Sequence, residues 1–372
     1  MNTIHHQRMR EALHLAQASL VRTSPNPRVG CVIYSEHGQK IAQGITSPPG
    51  GPHAEINALE QAYLQGISTE NASVYVTLEP CSHTGRTGPC VEALIQAKVK
   101  GVYIGTSDPN PLVAGRGIKR LREAHIDVED AILQEECRRY HAPFFKWITT
   151  GRPWVSLKGA MTLDGCLATA TGHSAWITGI EARTHVHALR AQVDAMMVGG
   201  ETARRDRPSL TVRHCEGTDP VAISLSRRLF LPNDAPFIRP GSIIFHSNLA
   251  TTDRKKQLTD KGVKLIEVSL TEDGKGLNLS DILDELGMEG IAHLCVEGGG
   301  YLHGAFMSLE LVDDLHLYIA PKLIGRGKPL FNFPSVNSMY EAHTLNEIYT
   351  ETLGQDMYLY GRFTSKLEPS LS

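Results

Sequence analysis

The sequence predicts an α/β protein of two domains, on three grounds. Short apolar strands alternate with amphipathic helices along almost the whole chain, the pattern of layered α/β folds. At 372 residues the chain exceeds the usual reach of one hydrophobic core. A break at Thr149-Thr150-Gly151-Arg152-Pro153 separates two such alternating runs, setting domains at 1–147 and 152–372.

Composition narrows the class. Hydrophobic residues at 41% and charged residues at 21% describe a globular protein. The net charge is −3, without a long basic run. Nucleic-acid binders more often carry a basic patch or stripe, so a small-molecule partner is expected. Seven cysteines are an odd number and lie scattered from Cys31 to Cys295. They argue against a disulfide framework and for a reducing compartment. The first residues have no apolar core of a signal peptide, and no apolar run reaches membrane-spanning length. The expected location is the cytoplasm.

In the first run, Met9, Ala12, Leu13, Ala16 and Leu20 fall at helical spacing, giving a helix over 6–20. Ser24-Pro25-Asn26-Pro27 breaks it, and the prolines fix the backbone around Asn26, as a rigid loop or a plain turn. Strands are expected at 29–34 and 40–45 around the His37-Gly38 turn. Ile56, Leu59, Ala62 and Tyr63 then read as a helix starting near His53, and 74–78 as an apolar strand. Pro89-Cys90 opens the next helix, 101–105 is a strand, and 118–124 a helix after a Pro- and Gly-rich loop.

This run holds the residues that carry chemistry. His53-Ala54-Glu55 precedes Pro80-Cys81, and Cys90 follows after eight residues. One imidazole and two thiolates fill three corners of a tetrahedral zinc, leaving the fourth to water, as in catalytic rather than structural sites. Zinc deaminases of cytosine and adenine add a glutamate near the histidine as general acid/base, not as a ligand. Glu55 fits that role. At the first turn of a helix, the dipole is expected to help hold it ionised.

The second run has expected strands at 154–158, 194–198, 220–225, 242–245, 264–268, 292–296 and 315–320, with helices at 181–191, 280–286 and 301–309. Two strand ends are glycine-rich: Gly199-Gly200-Glu201-Thr202, and Glu297-Gly298-Gly299-Gly300-Tyr301, which opens a helix. Bare backbone amides at such a start suit phosphate or pyrophosphate; a tight turn is the other reading. Neither end fits the Gly-x-Gly-x-x-Gly fingerprint with an acid on the next strand.

Taken together, the motifs resemble those of the bacterial bifunctional riboflavin-biosynthesis deaminase–reductases, along almost the whole chain. The resemblance is carried by Pro25-Asn26-Pro27, His53-Ala54-Glu55, Thr77-Leu78-Glu79-Pro80-Cys81-Ser82-His83 with Gly85-Arg86-Thr87 and Cys90, and Asp108-Pro109-Asn110-Pro111 with Val113-Ala114-Gly115-Arg116-Gly117. It continues through Leu163-Asp164-Gly165, Trp176-Ile177-Thr178, Val296-Glu297-Gly298-Gly299 and Ala320-Pro321-Lys322-Leu323-Ile324-Gly325. The eight-residue gap between cysteines is that family's, not that of the nucleoside deaminases.

The resemblance implies a cytidine-deaminase-like three-layer domain followed by a dihydrofolate-reductase-like domain. It implies Zn2+ and NADPH as cofactors, a phosphorylated pyrimidine as substrate, and a homo-oligomer. Deaminase substrate contacts would be Asn26, His83 and Arg86; reductase substrate contacts would be Ser174, Arg190, Leu210, Arg213 and Glu297. Cofactor contacts would be Ala160, Trp176, Thr202, Asp206 and Gly299, Gly300, Tyr301, Leu302, His303, Gly304 and Ala305. The chain departs from the family at Ser224-Leu225-Ser226, where an acid is expected; Arg204, Arg205, Arg227 and Arg228 are candidates for a cofactor 2'-phosphate. Two rival readings remain: a nucleoside or tRNA deaminase fused to an unrelated reductase, and a zinc-stabilised binding module whose fourth zinc corner is filled by protein.

Overall fold

The computed structural model describes residues 2–82, 88–110 and 113–363. The chain divides into two compact units, Met1–Arg152 and Pro153–Ser372.

In the first unit the elements are α1 (Asn2–Ala18), β1 (Gly30–Tyr34), β2 (Lys40–Ile45), α2 (Ala54–Leu64), β3 (Ser73–Val76), α3 (Cys90–Gln96), β4 (Gly101–Ile104), α4 (Arg116–Glu123), β5 (Asp127–Glu129) and α5 (Gln134–Thr150). The sheet runs β2-β1-β3-β4-β5, with β1 antiparallel to both neighbours and β3, β4 and β5 parallel. Strand periodicity sorts the side chains into two layers. Cys31, Ile33, Val74 and Val76 pack with Ala54, Ala58, Val91, Leu94 and Leu121 of α2, α3 and α4. Val32 and Tyr75 point the other way, against Met9, Ala12 and Leu13 of α1 and Cys137 of α5. Three layers result.

Two expectations for this unit need correction. Helix α1 spans 2–18 rather than 6–20, and Leu20 lies beyond it, exposed. Helix α5 was not foreseen, because Pro143 inside it removes a backbone donor and reads as a breaker. Its Cys137 and its Phe144-Phe145 pair pack on the two cores, and that burial outweighs the proline. It runs on to Thr150 and stops at Gly151, whose φ of 72° is the left-handed stop glycine adopts freely.

The second unit contains β6 (Trp154–Thr162), β7 (Cys166–Ala168), α6 (Ile180–Gln192), β8 (Ala195–Gly199), α7 (Gly200–Arg205), β9 (Val221–Leu225), β10 (Ile243–His246), α8 (Thr252–Thr259), β11 (Lys264–Glu267), α9 (Leu279–Met288), β12 (His293–Glu297), α10 (Gly300–Ser308), β13 (Asp314–Ala320), β14 (Lys328–Pro329), β15 (Leu345–Leu353) and β16 (Asp356–Phe363). Nine strands form one sheet in the order β11-β10-β9-β8-β12-β6-β13-β16-β15. It is parallel from β11 to β13, and β16 and β15 add an antiparallel edge. One face packs on Ile282, Leu283 and Leu286 of α9 and Phe306 of α10; the other packs on Leu189, Ala203 and Leu258 of α6, α7 and α8. The β15–β16 hairpin was not expected, because β15 is largely exposed and carries no apolar face for the pattern to show.

Among the described residues, no helix is long and apolar enough to cross a membrane.

A candidate three-ligand metal site and a glycine-rich cleft

In the first unit, His53 caps α2 in extended backbone conformation, which places Glu55 on the first turn. Pro89 caps α3, and Cys90 is its first residue. Cys81 lies on the loop after β3 rather than at a helix start; its carbonyl accepts the Val91 N–H at 3.3 Å and its Sγ the Cys90 N–H at 3.4 Å. Two helix starts and one strand-end loop thus converge. His53 Nδ1 stands 3.6 Å from Cys81 Sγ and 3.4 Å from Cys90 Sγ. A tetrahedral zinc with ordinary Zn–N and Zn–S bonds separates N from S by about 3.6 Å. The set therefore fits the ion. All three donor atoms lie within 4.8 Å of one another, the only such cluster among the described residues.

The electrostatics prepare the site for a cation. Hydrogen bonds to its sulfur, from the Cys90 thiol first and from His53 next, hold the Cys81 thiol well below its ordinary value. Glu55 is only 4% exposed, and burial, with the Cys81 charge adding to it, pushes its carboxyl up to about 7. The helix dipole was expected to keep Glu55 ionised. Desolvation outweighs it. Asn26 lies half-buried in a turn closed by its N–H to the Thr23 carbonyl at 2.9 Å. His83 and Arg86 lie outside the described residues.

The second unit has a cleft of about 990 Å³ at the carboxyl ends of β8, β9 and β12. In open parallel sheets ligands bind at that edge. Ala160, Ser174, Thr202, Asp206, Glu297, Gly299, Gly300, Tyr301, Leu302 and Ala305 all line it. Gly200 is required by packing, since a Cβ there would lie 2.6 Å from the Leu225 carbonyl oxygen.

Not every expected residue reaches the cleft. His303 is buried with its Nε2 accepting the Gly298 N–H at 3.2 Å, and burial pushes its pKa down to about 4. It is a neutral internal brace. Gly304 faces away too: a Cβ there would sit 1.9 Å from the Asn332 carbonyl oxygen. Trp176 is 71% exposed, its ring under the Arg183 guanidinium at 4.5 Å, and it does not line the cleft. Leu210 is buried in the core. Arg213 is exposed, donating to Ser209 Oγ at 2.6 Å. Arg190, expected as a substrate contact, is buried beneath the cleft: it donates to Glu297 Oε2 at 2.8 Å and to the Thr211 carbonyl at 3.2 Å.

Sequence reasoning missed Lys158. It lines the cleft from β6 and donates to Glu297 Oε1 at 2.9 Å. Burial works against the Glu297 charge, but Lys158 first and Arg190 next hold the carboxyl far below its ordinary value. The one available signal was parallel pairing of β6 with β12, which sets Lys158 opposite Glu297; no local pattern shows that. Leu225, Ser226, Arg227 and Arg228 line the cleft as well, with Arg204 and Arg205.

Residues 2–106 match the cytidine and deoxycytidylate deaminase zinc-binding region, and residues 153–359 match the RibD C-terminal domain. The chain is 38% identical over 357 residues to the riboflavin biosynthesis protein RibD of Aquifex aeolicus, spanning 95% of this chain and 96% of that one. It is 37% identical over 368 residues to RibD of Escherichia coli, spanning 95% and 97%. Among solved structures, Acinetobacter baumannii RibD aligns with a TM-score of 0.87 at 35% identity, covering 98% of this chain and 100% of that one. The deaminase/reductase of Thermotoga maritima aligns at 0.85 and 31% identity, covering 98% and 99%. The first half is cytidine-deaminase-like and the second dihydrofolate-reductase-like. Matched in both halves over nearly its full length, the chain belongs to the RibD family, bifunctional enzymes of riboflavin biosynthesis with a zinc-dependent deaminase domain and an NADPH-dependent reductase domain.

Proposed function

We propose that residues 1–152 remove the 2-amino group of 2,5-diamino-6-(5-phosphoribosylamino)pyrimidin-4(3H)-one, and that residues 153–372 reduce the ribosyl group of the product to a ribityl chain. The Thermotoga maritima relative carries the names of both activities, diaminohydroxyphosphoribosylaminopyrimidine deaminase and 5-amino-6-(5-phosphoribosylamino)uracil reductase. The observation that carries the reading is the buried Glu55 carboxyl beside one imidazole and two sulfurs spaced for zinc.

His53, Cys81 and Cys90 would hold the ion, which supplies the Lewis acidity that makes water nucleophilic near neutral pH. Glu55 takes a proton from the attacking water and delivers it to the departing amine. A carbon–oxygen bond forms at the amidine carbon, the carbon–nitrogen bond breaks, and ammonia leaves. A carboxyl poised at about 7 suits a group that must accept and then donate a proton. Asn26, His83 and Arg86 are proposed as substrate contacts.

In the second unit NADPH, when bound, supplies the hydride. Glu297, kept ionised by Lys158 and Arg190, offers a fixed acceptor to the sugar hydroxyls, and Ser174 lines the same cleft. Arg190 acts by holding Glu297. The end of β9 supports a preference for NADPH over NADH. An acid there would bond the 2'-hydroxyl of NADH, whereas arginine accommodates a 2'-phosphate, and here Ser226-Arg227-Arg228 follow the strand and line the cleft. Replacing both arginines by alanine should raise KM for NADPH roughly 10- to 100-fold, the loss of one charge-assisted contact, and leave KM for NADH nearly unchanged. Equal effects on both cofactors would remove these residues from the 2'-phosphate site.

The enzyme is proposed to act in the cytoplasm, as a homo-oligomer, on this small phosphorylated substrate and not on nucleic acid. All seven cysteines are free, which supports a reducing compartment. The test is a coupled assay on the pyrimidine phosphate, following ammonia and NADPH oxidation in one tube. A chelator should abolish ammonia release and added zinc should restore it, while NADPH oxidation on the deaminated substrate continues. Full ammonia release from metal-free protein would overturn the deaminase reading.

A further inference from the structure

The deaminase mechanism leaves a second buried glutamate of the first unit unused. Glu79 is 4% exposed and stands two residues before Cys81. Its carboxylate collects four backbone N–H groups: Oε2 accepts from Asp108 at 3.3 Å and Gly115 at 3.1 Å, Oε1 from Gly117 at 3.1 Å and Ile118 at 3.4 Å. Those donors are the start of α4 and the loop leading into it. Gly117 and Ile118 are on the first turn of α4, where the helix supplies no carbonyl for their N–H groups and its dipole favours an anion. Glu79 is thus held on both oxygens, and its own N–H donates to the Thr106 carbonyl at 3.0 Å.

The same helix start grips the next residue. A Cβ on Gly117 would lie 2.3 Å from the Pro80 carbonyl oxygen, so α4 packs backbone to backbone on Pro80. Cys81 follows at once and is fixed on its far side by α3, through the Val91 and Cys90 N–H groups. Cys81 is the one ligand of the three that no helix start carries, so its placement depends on these two grips.

We propose that Glu79 is a positioning residue for the zinc site: by binding the start of α4 it fixes Pro80 and sets Cys81 at ligating distance from His53 and Cys90. This rests on the reading of those three residues as zinc ligands. Groups that orient metal ligands typically contribute 10- to 100-fold to metal affinity.

The test uses the full chain, reconstituted with Co2+ and with Zn2+. Metal affinity is measured by chelator competition, the cobalt–thiolate absorption band by spectroscopy, and thermal unfolding on metal-free protein. Three variants separate the causes. Glu79→Ala removes the acceptor. Glu79→Gln keeps the shape but turns an amide NH2 toward two N–H donors. Gly117→Ala keeps the Glu79 carboxylate but presses a Cβ to 2.3 Å from the Pro80 carbonyl oxygen and 3.2 Å from Glu79 Oε1, so it strains the same grip from the α4 side. The expected result is 10- to 100-fold weaker metal binding in Glu79→Ala and Gly117→Ala, a smaller loss in Glu79→Gln, a shifted cobalt band in each, and unchanged NADPH oxidation. Metal-free Glu79→Gln and Gly117→Ala should still unfold cooperatively, a few degrees below wild type, with a loss of metal affinity greater than that shift accounts for. Wild-type affinity and band in all three variants would overturn the proposal, as would losses that track unfolding of the metal-free protein. A wild-type protein without any cobalt–thiolate band would instead sink the ligand assignment itself.

Discussion

Glu55→Gln lowers ammonia release by roughly 10²- to 10⁴-fold, the usual contribution of a positioned acid/base, while the protein retains its zinc and oxidises NADPH at the wild-type rate. Glutamine fills the same buried space at the start of α2, so the fold is kept. It cannot take a proton from water, and it has none to give to the leaving amine. Because burial pushes the native carboxyl to about 7, the substitution puts a neutral group where one was often present, and stability changes little. Zinc content by elemental analysis and ammonia by enzymatic assay check the result. Ammonia release within threefold of wild type would remove Glu55 from the mechanism.

Glu297→Gln is expected to act on the other half. It leaves Lys158 and Arg190 close together, with only 11% and 9% of their side chains exposed and no shared counter-charge. Breaking a buried pair by deleting one member costs about 3–5 kcal/mol; the cleft admits water, so about 3 kcal/mol is expected here. Loss of the ionised acceptor that Glu297 offers to the sugar hydroxyls, a charge-assisted bond of about 1.5–3 kcal/mol, lowers reductase kcat/KM roughly 10- to 100-fold, with ammonia release untouched. Denaturant unfolding and NADPH oxidation measure the two effects separately. A neutral effect on both would mean that the triad is neither a structural nor a substrate-binding feature.

Much of the deaminase site was legible because its signals are local. His53 at a helix start, Glu55 two residues on, and Pro89-Cys90 at the next helix each follow from capping and periodicity, and the structure has them at those places. What failed was any inference that needed a neighbour. The expectation of an ionised Glu55 used the dipole of its own helix, which sequence shows, and missed its burial, which sequence does not. Arg190 is expected to contact substrate, yet it is spent on Glu297, 107 residues away. His303 and Gly304 share a motif with cleft residues but sit on the buried side of α10, since successive helical positions turn by about 100°. Helix α5 was hidden by a proline that packing overrides, and the β15–β16 hairpin by the absence of an apolar face.

By itself, then, the sequence determined most of the strands and helices, the break between two alternating runs, and a candidate metal-ligand set, His53, Cys81 and Cys90, with an acid beside it. Periodicity, caps and ligand chemistry are properties of neighbouring residues. Only the tertiary structure decided that the imidazole and both sulfurs stand at zinc spacing, that Lys158 faces Glu297 across 139 residues of chain, and which glycines open onto the cleft. Those outcomes depend on desolvation and on pairing across the sheet, energies that exist only once distant segments are packed together.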